Sequence, residues 1–248
     1  MRKIITFIFT VMSVVVLLAP APLAQIDLDI ETGAVFSGYN DVRIPGNGGT
    51  LFSLSKELEA DPGVFFRFRV IYNFNDHHHL GVLFAPLSIS SKGSLNRDLI
   101  FQGETFSANT LLETTYKFNS YRLFYRYDFL RNDKIEIGIG FTAKIRDAKI
   151  AVMGDGLESI KTNVGFVPII NFRLLWKFAK QFAFLLDGDA LAAPQGRAED
   201  ILAALLFRVS NNLDIKAGYR ILEGGADNDT VYNFALFNYA SIGAIIYF

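Results

Sequence analysis

From residue 25 onward the chain alternates apolar and polar side chains with a period of two, and the alternation falls into ten blocks separated by turn-forming residues. The pattern predicts strands over Ile26–Ser37, Gly63–Phe74, His79–Ser90, Thr114–Phe129, Lys134–Ile150, Lys161–Phe178, Phe182–Ala192, Asp200–Ser210, Leu213–Leu222 and Val231–Phe248. Short turns (Asn75-Asp76-His77, Arg131-Asn132-Asp133, Ala179-Lys180-Gln181, Asn211-Asn212) alternate with longer connections. The longest connections are Gly38–Asp61 and Ser91–Leu112; others begin at Gly154, Pro194 and Gly224. Pro86 and Pro168 fall inside blocks, where each removes a ladder hydrogen bond and predicts a bulge or a strand end. The block at His79–Ser90 is apolar on both faces, so alternation does not fix its register.

Elsewhere one face of each block is apolar and the other is charged. Phe66, Phe68, Val70, Tyr72 and Phe74 oppose Arg67 and Arg69, and Tyr121, Leu123, Tyr125, Tyr127 and Phe129 oppose Arg122, Arg126 and Asp128. Ile135, Ile137, Ile139, Phe141 and Ile145 oppose Glu136, Lys144 and Arg146, while Phe166, Ile170, Phe172, Leu174 and Trp176 oppose Arg173. Ile215, Tyr219 and Ile221 oppose Asp214, Lys216 and Arg220. A soluble barrel of the calycin kind would bury the apolar faces. In a membrane barrel the faces reverse, because a basic residue facing lipid costs ~2–4 kcal/mol near the midplane. Tyr72, Phe74, Tyr127, Phe129, Trp176, Phe178, Phe182 and Phe248 gather where strands meet the short turns, as an interfacial aromatic belt would.

Both ends of the sequence bear on its destination. Met1-Arg2-Lys3 precedes an apolar run from Ile4 to Ala19, shorter than the roughly 20 residues of a spanning helix. Small residues and prolines follow, so residues 1–24 read as a signal peptide and residues 25–248 as one barrel domain. The last strand ends Ser241-x-Gly243-x-x-Ile246-x-Phe248. This pattern resembles the carboxy-terminal assembly signal of bacterial outer-membrane β-barrels, although the family prefers an aromatic at the Ile246 position. The resemblance implies an all-β fold, a single transmembrane antiparallel up-and-down barrel of about ten strands, with eight or twelve as the neighbouring even counts. It also implies the outer membrane of a Gram-negative bacterium, with outer-membrane lipids and the barrel-assembly machinery as partners.

Composition narrows the rest. Loss of Arg2 and Lys3 with the leader leaves 22 basic against 25 acidic residues, a formal charge of −3, and no basic patch interleaved with aromatics, so nucleic acid is not an expected partner. About half the chain is apolar and 24 residues are phenylalanine, yet no later apolar run reaches the ~18 residues of a helical span. An apolar chain of this kind crosses a bilayer only as a closed barrel, where every backbone polar group is paired. There is no cysteine, which excludes disulfides, thiolate metal sites and a lipoprotein anchor.

The expected chemistry lies in the lumen, lined by Asp27, Asp29, Glu31, Arg67, Arg69, Arg122, Arg126, Asp128, Glu136, Lys144, Arg146, Arg173, Asp187, Asp189, Arg208, Lys216 and Arg220. On strand adjacency, Asp27, Asp29 and Glu31 would meet Arg67 and Arg69, and Asp187 and Asp189 would lie between Arg173 and Arg208. Such charges either neutralise one another and fill the interior or form a polar pathway for small solutes; ten strands sit near the filled end of the range. His77, His78 and His79 share one short turn, and three adjacent residues cannot converge on one ion, so no metal site is expected. That turn lies on the periplasmic side, away from the outer leaflet where a histidine base would serve a protease or lipid hydrolase. Asp187 with Asp189 reads as lumenal ion-pair partners before a catalytic pair.

The glycine-bearing Ile44-Pro45-Gly46-Asn47-Gly48-Gly49-Thr50 lacks the Lys-Ser/Thr ending of a P-loop and reads as a mobile surface loop, and no cofactor is expected. The functional expectation is a non-enzymatic barrel, either a narrow pore for small solutes or a structural envelope protein. The alternative is an adhesin-like, surface-binding barrel acting through loops 38–61 and 91–112. An outer-leaflet lipid-modifying enzyme or protease comes third.

Overall fold

The computed structural model describes residues 25–194 and 196–248; the leader expected at 1–24 lies outside them. The strands are β1 (Gln25–Arg43), β2 (Phe52–Ser53), β3 (Glu59–Ala60), β4 (Gly63–Asn73), β5 (His78–Ala85), β6 (Ser88–Ser94), β7 (Leu99–Phe101), β8 (Glu104–Phe106), β9 (Leu111–Arg131), β10 (Ile135–Gly154), β11 (Leu157–Trp176), β12 (Phe182–Ala193), β13 (Gly196–Ser210), β14 (Leu213–Asn228) and β15 (Val231–Tyr247). Ten staves close a single antiparallel ring in the order β1, β4, β5/β6, β9, β10, β11, β12, β13, β14, β15, with β15 pairing back onto β1 from Asp27↔Tyr247 to Arg43↔Tyr232. Closure gives every stave a neighbour on both sides, the condition for a sheet in lipid, although the β4–β5 and β11–β12 ladders run for only six and seven pairs.

The staves overrun the predicted blocks mostly at the end away from the chain termini. β9, β10 and β11 each reach 20 residues or more, and the β10–β11 connection shrinks to a two-residue turn with Asp155 and Gly156 at φ 51° and 76°. Paired positive φ angles match the twist of a tight hairpin. Pro86 ends a strand as expected, whereas β11 runs unbroken and without a bulge through Pro168. Pro86 separates β5 from β6 within one stave, and the β11–β12 ladder stops at Ile170↔Ala190, two residues short of Pro168. Beyond that point β11 keeps its pairing with β10. In β5, His79, Gly81, Leu83 and Ala85 are turned inward, which fixes the register the sequence left open.

The outer face carries the apolar residues. Tyr125, Ile139, Phe141, Ile145, Phe166, Leu205, Tyr219 and Ile242 are all exposed there. At the terminal end Trp176, Phe178, Phe182 and Phe207 form a chain of ring contacts with centroids 5.3–6.3 Å apart. Trp176 is 49% and Phe248 66% exposed, a surface that suits the lipid interface and would be poorly placed in water.

Candidate functional site

The interior has three layers. The middle layer is a web of ion pairs that runs across the barrel, not along its wall. Arg67 Nη2 lies 2.9 Å from Asp200 Oδ2, and Arg69 Nη1 lies 2.9 Å from Asp187 Oδ1, joining β4 to β13 and β12 on the far side. Arg122 of β9 bridges Asp189, at 2.5 Å, and Asp200. Arg220 joins Asp200 at 2.5 Å to Glu31 at 2.7 Å, and Lys216 joins Asp29 at 2.5 Å to Glu31 at 3.1 Å. Thr142 and Asn171 donate the remaining hydrogen bonds to Asp189, at 2.6 and 3.0 Å. Lys144 is buried over the Phe118 ring, 4.8 Å from its centroid. Lys144 has no carboxylate within 4.0 Å among the described residues, but the other charges of this layer are paired with one another, as burial at this depth requires, so they act as a single structural unit.

Of the pairs adjacency predicted, Asp29 with Arg69 survives as a long contact, and the shorter contacts go elsewhere. Asp29 stands opposite Arg69 in the β1–β4 ladder, yet that pair is 3.9 Å apart while Arg69 reaches the far wall at 2.9 Å. Arg208 pairs with Asp214 at 3.2 Å and not with Asp187 or Asp189, and no carboxylate lies within 4.0 Å of Arg173 among the described residues. The reason is dimensional. A ten-stave lumen is narrow enough for a guanidinium to cross it, and a carboxylate across the lumen can be met head-on.

Above the web, at the end away from the termini, the filling becomes apolar. Val35, Phe65, Leu112, Tyr116, Ile150, Val152, Phe237 and Tyr239 point inward from the staves. They meet Ile44, Phe52, Leu54 and Leu58 from the β1–β4 connection and Leu95, Leu99, Phe101 and Phe106 from the β6–β9 connection. Within residues 44–50, expected to be a mobile surface loop, Ile44 and Gly46 are buried while Asn47 and Gly48 are exposed, and just beyond them Phe52 meets Phe101 edge-to-face at 6.3 Å. Polar bonds lock the outside of this cap. Arg97 donates to Glu57 Oε1 at 2.7 Å and to the Leu51 carbonyl at 2.8 Å, and that hydrogen-bonded guanidinium holds the Glu57 carboxyl below its usual range. Arg146, counted as lumenal from sequence, is only half-buried and bonds Asn163.

Below the web, at the terminal end, a cavity of about 440 Å³ opens outward, lined by Asp27, His79, Arg126, Asp128, Glu136 and Arg173 among others. The histidines do not share one turn. His77 contacts the Asp128 carbonyl at 2.6 Å, His78 contacts the Tyr125 hydroxyl at 2.6 Å, and His79 enters β5 with Nε2 2.9 Å from Asp128 Oδ2.

No family model matches the chain, and no curated protein matches it. Among solved structures it is similar to the outer membrane protease OmpT from Escherichia coli, at 9% identity over 92% of this chain and 99% of that one, with a TM-score of 0.54. The chain has the fold of a bacterial outer-membrane β-barrel. It is also similar to Ail, the attachment invasion locus protein of Yersinia pestis, at 14% identity over 90% of this chain and 99% of that one, with a TM-score of 0.42. Neisserial surface protein A covers 89% of this chain and 97% of its own at 16% identity, with a TM-score of 0.36.

In such a barrel the termini and short turns lie on the periplasmic side and the long connections outside, so the cap is extracellular and the 440 Å³ cavity is a periplasmic vestibule. The terminal-strand positions fit this frame. Ser241 is buried in the lumen, Ile246 and Phe248 lie at the periplasmic end, and Gly243 lets β15 pack close to β1, since a Cβ there would collide with the Ile30 carbonyl oxygen and stand 2.8 Å from Lys216 Cε. Asp200, where three arginines converge, escaped the sequence reading because β13 is apolar on both faces (Ile201, Ala203, Leu205 against Leu202, Ala204, Leu206) and Asp200 sat at a predicted strand boundary. Its only signal was its place in the alternation with Leu202.

Proposed function

We propose that the protein is a sealed, non-enzymatic outer-membrane barrel that works at the cell surface through its extracellular cap. The cross-lumen chain Arg67, Asp200, Arg122, Asp189 carries the reading, because it closes the barrel at mid-height with charges already engaged by one another. A solute would have to break several buried pairs to pass. The apolar packing above forms a second seal, and it does more than a purely supporting barrel requires. Loops held by a buried core present a preorganised surface, which lowers the ordering cost of binding. Leu51 and Ile100 stand exposed on that surface, their segments joined by a hydrogen bond from Thr50 N to the Ile100 carbonyl at 2.9 Å.

The non-enzymatic reading is supported by the state of the lumenal acids. Asp187 and Asp189 are each engaged by an arginine, which suits structural carboxylates better than a general base. Outer-membrane lipids around the apolar belt and the barrel-assembly machinery acting on the Ser241 to Phe248 strand are the partners this reading carries. The test is adhesion of expressing cells to immobilised extracellular-matrix proteins. Cells bearing the protein should adhere above barrel-free cells, and a Leu51→Lys, Ile100→Lys double variant should lose the gain while still reaching the surface. Adhesion equal to that of barrel-free cells would leave envelope support as the function.

A further inference from the structure

The periplasmic vestibule holds more positive charge than its own carboxylates engage. Five cationic side chains line it: Arg126, Arg131, Arg173, Lys177 and Arg208. Lys177 is paired with Glu136 at 2.6 Å, Arg131 lies 4.0 Å from the same carboxylate, and Arg208 is paired with Asp214 at 3.2 Å. Asp128 accepts from Arg126 Nε at 2.8 Å and also faces His79 Nε2 at 2.9 Å, so one carboxylate is divided between two groups.

Two guanidiniums keep unused donors. Arg126 is 3% exposed, and its Nη1 is buried with no hydrogen-bond partner among the described residues. Arg173, on β11, has no carboxylate within 4.0 Å among them, and its Nε is likewise buried and unpartnered. Asp27 and the terminal Phe248 line the same cavity on the β1 and β15 side. A buried guanidinium without a partner is costly, and its planar fork matches a carboxylate or phosphate group.

We propose that the vestibule is a blind binding site for an oxyanion group, a carboxylate or phosphate carried on a small periplasmic molecule, with Arg126 and Arg173 as its two holding residues. The cavity volume admits a small organic acid or phosphate ester, and the web above stops it from passing further. The site is separate from the extracellular cap.

Isothermal titration of residues 25–248 in detergent tests it, with inorganic phosphate and succinate as probes at constant ionic strength in chloride. Saturable binding of at least one probe should weaken about tenfold or more in Arg173→Gln and in Arg126→Gln. Lys92→Gln, at the exposed pair with Glu113 in the extracellular half, should bind as the parent does. Preference for phosphate or for succinate would name the source of the group. Heat-modifiable migration in each variant reports an intact barrel, and Arg173→Gln carries the test if Arg126→Gln does not fold. No saturable heat with either probe, or an Arg173→Gln protein that binds as well as the parent, would overturn the proposal.

Discussion

Arg69 and Asp187 stand on staves β4 and β12, five places apart around a ring of ten, and meet across the full diameter of the lumen at 2.9 Å. A contact of that kind holds opposite walls together, which the backbone ladder cannot do. Removing one partner leaves the other charged, buried and uncompensated. Arg69→Ala is therefore expected to destabilise the barrel by about 3–5 kcal/mol, and Arg69→Met with Asp187→Leu to recover most of the loss. Urea unfolding in lipid vesicles, read by tryptophan fluorescence of Trp176, measures both.

The apolar outer face predicts a labelling pattern. Cysteines placed at Phe68, Tyr125 and Ile139 should react with a lipid-soluble maleimide and resist a water-soluble one, because all three lie on the outward face. The opposite pattern would mean that the barrel is inside out and not a membrane structure.

The cap depends on the stacking of two connections. Phe101 is fully buried against Phe52, so Phe101→Ala should cost about 3–5 kcal/mol of local packing. Because the loss falls in the cap, limited proteolysis should cut residues 44–60 and 95–110 quickly, while the transmembrane core keeps its heat-modifiable migration.

Acid should loosen the same region. The Glu57 carboxyl is held below its ordinary value of 4.5 by Arg97. A depressed folded-state value means that the stabilisation is complete above about pH 4.5 and fades as pH falls through the lower folded value. Both side chains are more than a third exposed, so the effect is small. Proteolysis of the cap should quicken below pH 4.5 in the parent, and Glu57→Gln should show the faster rate at every pH.

The fold is legible in the sequence because period-two alternation, short polar turns and the Ser241 to Phe248 strand all point to one architecture. Ten blocks of alternation become ten staves, and Pro86 marks a real interruption, while β11 continues through Pro168. The inward positions of Arg67, Arg122 or Lys216 can be read from the same alternation. Their partners cannot, because strand order says which walls are adjacent and nothing about what spans the gap. Asp200 stayed hidden on a strand apolar on both sides. The packed cap was illegible for a similar reason. Ile44, Phe52, Leu54, Leu99 and Phe101 lie in connections without a period, and only their shared burial over the barrel mouth gives them a role.

The central claim is that the ion-pair web and the apolar layer above it seal the barrel. Single-channel recording of residues 25–248 in a planar bilayer tests it most directly, alongside an Arg69→Ala, Arg122→Ala variant. The parent protein should be electrically silent, and the variant should either show brief openings or lose its fold. Regular open steps from the parent protein, with the same size and ion selectivity in a folded variant, would contradict the seal and return the pore to first place.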